Sequence, residues 1–228
     1  MTIETLQVLW IDEDRRERFI IGSLRREPEG FVFTYGDLTG AKRHGFTPLP
    51  EFPDSDREYA SRELFATFSE RLPDPRRPDY ARFLSELGLE APAAAFEILA
   101  RSGGMLATDR IELAEERSVG DDFTRPLVFQ VRGTQHHLKP EDRPLSPGEE
   151  LRVGREPTNG YDPHACPLLR DDDAKVGFVP KSYSLAVAAA VDRGLSLRVT
   201  IRRSVILPRQ SDPAGSRPTW IAELFRSA

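Results

Sequence analysis

The chain has 228 residues, of which 39% are apolar and 30% charged, and its net charge is −5. That length holds one large domain or two small ones, with a packed core under a heavily charged surface. No apolar run reaches the ~18 residues of a membrane span, Met1 to Trp10 lacks the basic start and apolar stretch of a secretory signal, and a single cysteine, Cys166, excludes an internal disulfide framework and a cysteine-rich zinc site. A cytoplasmic protein with no membrane contact is expected.

Residues 3–35 read as strands. Leu6, Val8 and Trp10, then Phe19, Ile21 and Leu24, alternate imperfectly, and Phe31, Phe33 and Tyr35 alternate cleanly with Val32 and Thr34. Polar turns at Asp12–Arg16 and Glu27–Gly30 separate them into an antiparallel meander. Residues 36–55, with three glycines and three prolines, read as a loop. Three helices are expected next. One starts near Asp56 and turns Tyr59, Leu64, Phe65, Phe68 and Leu72 inward. A second opens at Pro78-Asp79 and stops at Gly88, and a third runs from Pro92 to Gly103-Gly104. Ile111 and Leu113 fit a short strand, and the charged residues 115–126 mark the domain boundary.

The second half reads as mostly strand. Leu127, Phe129 and Val131 alternate, Leu151 and Val153 follow a Pro147-Gly148 turn, and Asp171-Asp172-Asp173 tips a hairpin. Ser182 is the expected cap of a helix ending at Gly194, after which Leu195 to Ile201 alternate strictly with polar residues. Several short strands around one helix suggest a small, partly closed barrel. Residues 208–218 have the composition of a tether, and Trp220, Ile221, Leu224 and Phe225 read as a short amphipathic tail docked on one of the domains.

Charge is unevenly divided. Residues 1–123 hold 16 Lys+Arg against 25 Asp+Glu, and residues 124–228 hold 16 against 12. An anionic ligand is therefore expected on the second half.

The residues most suggestive of chemistry lie between Arg155 and Lys181. Asn159-Gly160 is a turn former, and Asp162-Pro163 breaks a strand. The turn carries Tyr161, and Val176-Gly177-Phe178-Val179-Pro180-Lys181 precedes a helix. A tyrosine ring stacks bases, and a lysine ahead of a helix N-terminus meets phosphate. The bland alternatives are turn-tying side chains for Asn159 and Asp162, core packing for Tyr161 and a solvated Lys181. His164 and Cys166 would share one face of a strand, whereas the adjacent His136 and His137 would point opposite ways. No tight ligand motif joins them, so no metal site and no cofactor is assigned.

Three blocks in order, Phe129-Gln130-Val131-Arg132-Gly133, Leu151 to Asp162 and Val176 to Lys181, resemble the HIRAN domain over residues 127–207. That resemblance implies capture of single-stranded DNA at its 3′ end, with Tyr161, Asp162 and Lys181 lining the pocket; Asn159, His136 and Gln135 join them as candidate nucleic-acid-binding residues. Where the DNA-end binders carry an arginine and an aromatic, this chain has Gln135 and His136. Histidine still stacks, but glutamine brings no charge.

The first half resembles the N-terminal subdomain of HipA-type toxin kinases. The resemblance runs through Gly22-Ser23-Leu24, Phe31 to Tyr35, Leu64 to Pro73 and Phe96 to Gly104. The catalytic aspartates and phosphate loop of that family have no counterpart here, which implies a scaffold that contacts a protein partner. The sequence also lacks a Walker motif, a Gly-x-Ser-x-Gly elbow and a His-Glu-x-x-His zinc motif.

The expected fold is α+β. Residues 1–118 form a HipA-N-like α+β domain, and residues 124–207 a small HIRAN β-barrel with an inserted helix. Residues 208–228 form the tether and amphipathic tail. The expected function is non-enzymatic recognition of single-stranded DNA or DNA ends. The alternative is a regulatory or antitoxin-like subunit that binds a HipA-like kinase through residues 1–118. The Arg/Ala/Pro-rich composition suggests a bacterial chain.

Overall fold

The structure is a computed structural model that describes residues 3–12, 17–106, 108–139, 141–205 and 219–227. The chain divides into two compact units, Met1–Glu116 and Arg117–Ala228. Among the described residues, no helix is long and apolar enough to cross a membrane.

The first unit is built on strands β1 (Thr5–Asp12), β2 (Glu17–Glu27), β3 (Gly30–Tyr35), β4 (Tyr59–Ser61) and β5 (Ile111–Glu115). They form one antiparallel sheet in the order β4-β3-β2-β1-β5. Between them lie helices α1 (Thr39–Arg43), α2 (Ala66–Ser69), α3 (Tyr80–Glu86) and α4 (Ala95–Ser102). Leu6, Val8, Ile21, Leu24 and Phe33 point from the sheet into a core closed by Phe52, Phe68, Phe96 and Leu99. The Phe33 and Phe52 rings lie 4.3 Å apart, and Phe52 stacks on Phe68 at 5.8 Å. Such ring pairs add to the area they remove from water. Gly22 keeps β2 close to β3, because a Cβ there would lie 2.3 Å from the Thr34 carbonyl oxygen.

One expected helix is largely replaced. The segment from Asp56 to Leu72 is not continuous helix: Tyr59–Ser61 pairs with Phe31–Phe33, and helix is confined to Ala66–Ser69. The open edge of β3 offers backbone partners, and the Tyr59 ring gains a contact with Phe52 at 5.1 Å. The stops of the other two helices fall at glycines in the left-handed region, Gly88 after α3 and Gly103 after α4. However, α4 starts at Ala95 rather than Pro92, and the expected loop of residues 36–55 contains α1.

The second unit contains β6 (Leu127–Gln130), α5 (Thr134–His137), β7 (Glu150–Val153), β8 (Pro167–Leu169), β9 (Lys175–Phe178), α6 (Lys181–Asp192), β10 (Leu197–Val205) and β11 (Thr219–Arg226). The strands form an antiparallel sheet in the order β6-β11-β10-β7-β8-β9. Its two outer strands curl toward each other. Just beyond β6, the Arg132 N–H donates to the Phe178 carbonyl at 3.0 Å, and the Phe178 N–H donates back at 2.8 Å. The result is a curled half-barrel. Gly177 permits this approach, since a Cβ there would meet the Arg132 carbonyl oxygen at 2.7 Å. Helix α6 buries Tyr183, Ala186, Val187 and Ala190, with Tyr183 against Phe129 of β6.

Three expectations change in this unit. The amphipathic tail is strand β11, seated between β6 and β10, so the expected domain of residues 124–207 lacks one strand of its own sheet. The tether read over residues 208–218 lies outside the described residues. Gln135, His136 and His137 lie on the short helix α5 rather than at a strand end, because Gly133, at φ 73°, turns the chain out of β geometry. Finally, α6 starts at Lys181 behind Pro180, which places Ser182 inside the helix instead of at its cap.

Candidate functional site

The loop between β7 and β8 is fixed by its own side chains. The Asn159 side-chain oxygen accepts from the backbone N–H groups of Tyr161 at 3.0 Å and Asp162 at 3.2 Å. The Asn159 amide donates to Glu156 at 3.1 Å. Asp162 accepts the His164 N–H at 2.8 Å through its carboxylate and the Ala165 N–H at 3.0 Å through its carbonyl. These are turns of the kind Asn and Asp make with nearby backbone. At the base of the loop, Arg155 reaches Asp192 at the end of α6 at 3.0 Å and the Ala165 carbonyl at 3.3 Å. The loop therefore has bonds to itself and to α6, and it leaves the Tyr161 ring 90% exposed.

Sequence reasoning missed a second group beside this loop. Glu156 grips the Lys175 ammonium with both carboxylate oxygens, at 3.0 and 3.2 Å. The same ammonium sits 5.0 Å from the centre of the Phe178 ring, and His137 meets that ring at 5.3 Å. The hydrogen bonds from Lys175 and Asn159 hold the Glu156 carboxyl below its ordinary range. Burial, and then the charge of Lys175, push the His137 imidazole below its ordinary value. One signal was present in the sequence, since Lys175 heads the Val176-Gly177-Phe178 block. Its pairing with Glu156, nineteen residues away, exists only once β9 has folded beside the loop.

The structure thus gathers Asn159, Tyr161 and Asp162 on one loop and links that loop to Lys175 through Glu156. Lys181 is exposed at the first turn of α6, and Gln135 and His136 are exposed on α5. The Cys166 thiol is buried, faces the His164 carbonyl at 3.3 Å and has its pKa pushed up to about 12, chiefly by burial. Among the described residues, no three His, Cys, Asp or Glu side chains form a metal-holding group. An exposed ring on a hydrogen-bonded loop, with the Lys175 ammonium joined to that loop through Glu156, can stack a base and hold its phosphate.

Comparison with known proteins places this half of the chain. The family model for the HIRAN domain matches residues 125–211. Two solved structures are similar at low identity. A Lactobacillus plantarum protein from a structural-genomics programme is 19% identical over 43% of this chain and 89% of its own, with a TM-score of 0.32. The HIRAN domain of human HLTF is 17% identical over 45% of this chain and 77% of its own, with a TM-score of 0.32. No curated protein matches. The family match ends before β11, although β11 lies within the sheet. Residues 125–211, on the second unit, are a HIRAN domain.

Proposed function

We propose that this protein binds single-stranded DNA, with a preference for a free 3′ end, through its HIRAN domain and without catalysis of its own. The observation that carries this reading is the Tyr161 ring, 90% exposed on a loop whose backbone is hydrogen-bonded in place. An exposed ring gains from stacking, and a fixed loop loses little freedom on binding. Base–aromatic stacking contributes ~1–3 kcal/mol per base and tolerates any sequence. Asp162 uses one carboxylate oxygen on His164, and a carboxylate has lone pairs left for the 3′-hydroxyl of a terminal nucleotide. Lys181 supplies a charge for the phosphate in this reading, which also assigns nucleic-acid contacts to Asn159 and to His136 and Gln135, both exposed on α5.

Residues 1–118 are acidic on balance, which disfavours a polyanion, and the reading assigns them to a protein partner. Their likeness to the HipA N-terminal subdomain gives that partner a class, a HipA-like kinase, and a cytoplasmic setting. Fluorescence anisotropy of the full chain with labelled single-stranded, blunt and 3′-phosphorylated oligonucleotides tests the proposal. The expected order is single strand with a free 3′-hydroxyl first, then 3′-phosphate, then blunt duplex, with affinity falling as salt rises. Absence of binding to all three at low salt rejects it in favour of the kinase-binding subunit.

A further inference from the structure

We infer that the Glu156 carboxylate stands where a nucleic-acid phosphate binds Lys175, so that Glu156 gates the site and Lys175 is one of its phosphate ligands. The inference rests on the DNA-binding reading above and adds to it a residue pair and a regulation.

Lys175 presents its ammonium against the face of Phe178, with His137 on the same ring. A cation held on an aromatic ring beside an imidazole suits an anion next to a base. In the free protein that anion is internal: Glu156 spans the ammonium with both oxygens, at 3.0 and 3.2 Å. The side chains of Lys175 and Glu156 are 29% and 32% exposed, so solvent and an incoming strand both reach the pair. An ion pair this open shifts an equilibrium by about fivefold at most, and a phosphate can displace it.

Displacement would leave the loop in place. Glu156 keeps the Asn159 amide as a partner, and its backbone N–H still donates to the Ala165 carbonyl at 3.0 Å. The turn that presents Tyr161 does not depend on Lys175. If Glu156 were only a structural clip, loosening it would weaken binding. If it is a gate, neutralising it strengthens binding. The two roles predict opposite signs.

The test compares wild type, Glu156→Gln, Lys175→Gln and the double variant, all as the full chain, by anisotropy with a short 3′-hydroxyl oligothymidylate. Glutamine keeps an acceptor for Asn159, and thermal melting confirms that each variant is folded. Glu156→Gln is expected to bind about two- to fivefold tighter than wild type, the range of an open ion pair. Lys175→Gln is expected to bind more weakly, and in its background the gain from Glu156→Gln should largely vanish. Unchanged or weaker binding by Glu156→Gln, or a gain that persists in full without Lys175, overturns the gate while leaving the DNA-binding reading intact. If neither wild type nor Glu156→Gln binds, both fall together.

Discussion

The Asn159 side-chain oxygen accepts the backbone N–H of Tyr161 at 3.0 Å, so the residue that shapes the turn also sets the direction of the exposed ring. The same oxygen holds Asp162, and the amide on the other side holds Glu156. Asn159→Ala removes all three bonds and should lower stability by ~1–3 kcal/mol, each such bond being worth about 0.5–1.5 kcal/mol net. Asn159→Ser keeps a side-chain oxygen for the turn, a weaker acceptor than the amide oxygen, and sets no new charge beside Glu156, so it should lie nearer wild type. Urea midpoints of the two variants check the order. Equal losses would mean that the amide, not the oxygen, fixes the turn.

Tyr161→Ala and Asp162→Ala should separate affinity from end recognition. The Tyr161 side chain is solvent-exposed, so removing it should leave the melting temperature unchanged. It should weaken every single-stranded ligand by ~1–3 kcal/mol. Asp162→Ala loses its bond to the His164 N–H and should melt lower. Its specific effect should be on the 3′ terminus. With the carboxylate gone, a 3′-phosphate is no longer repelled, and the preference for a free hydroxyl should disappear. A preserved preference in a folded Asp162→Ala protein removes Asp162 from end recognition.

Strand β11 should be indispensable to the second unit, although it lies beyond the family match. Trp220, Ala222 and Leu224 are buried, and the strand pairs with β10 on one side and β6 on the other. A fragment of residues 117–211 would expose two unpaired strand edges and the apolar face beneath them. Residues 117–228 should give a cooperative thermal transition and well-dispersed amide resonances, and residues 117–211 should give neither. A folded shorter fragment would show that β6 and β10 can close without β11.

That strand also shows where the sequence misleads. In Trp220, Ile221, Leu224 and Phe225, the spacing fits one face of a helix, and the actual inward set is Trp220, Ala222 and Leu224. Alanine carries too little apolar weight to reveal the period of two, and the pairing partners lie far away in the chain. Tyr59–Ser61 was missed for the same reason, since three residues carry no period and β3 decides their state. Local signals were readable. Gly88 and Gly103 stop their helices through left-handed backbone, and Asn159-Gly160 makes its turn. The exposed Tyr161 and its turn were therefore legible, whereas the contact of Lys175 with Glu156 and Phe178 was not, because it depends on strand pairing across the unit.

The Cys166 thiol should be inert in the native protein. It is fully buried, and burial pushes its pKa up to about 12, against a smaller opposing effect of Arg155. The thiolate is the reactive species, so a disulfide reagent at mildly alkaline pH should label the native protein only as fast as the unit opens. Labelling should become fast and stoichiometric in denaturant. Rapid modification under native conditions would mean that the β8–α6 region opens far more readily than its packing implies.

Acidification should destabilise the second unit through His137 before the carboxylates titrate. The imidazole is held below its ordinary 6.5 by burial first, then by Lys175 and His136, with Glu156 opposing. The native state therefore binds this proton less readily than the unfolded chain. At pH values above the unfolded value both states are neutral and the full stability is present. As pH falls through that value, the unfolded chain takes up a proton that the native site resists, and stability is lost. Glu156 is also depressed, by Lys175 and Asn159, so its contribution is present above its ordinary 4.5 and is lost only at lower pH. The two windows are separate, and a decline between about pH 7 and 5 belongs to the histidine. His137→Phe keeps a ring against Phe178 and removes the titration. Urea midpoints across that range should fall with acidification in wild type and stay nearly flat in His137→Phe. An equal decline in the variant would assign the effect to a different group.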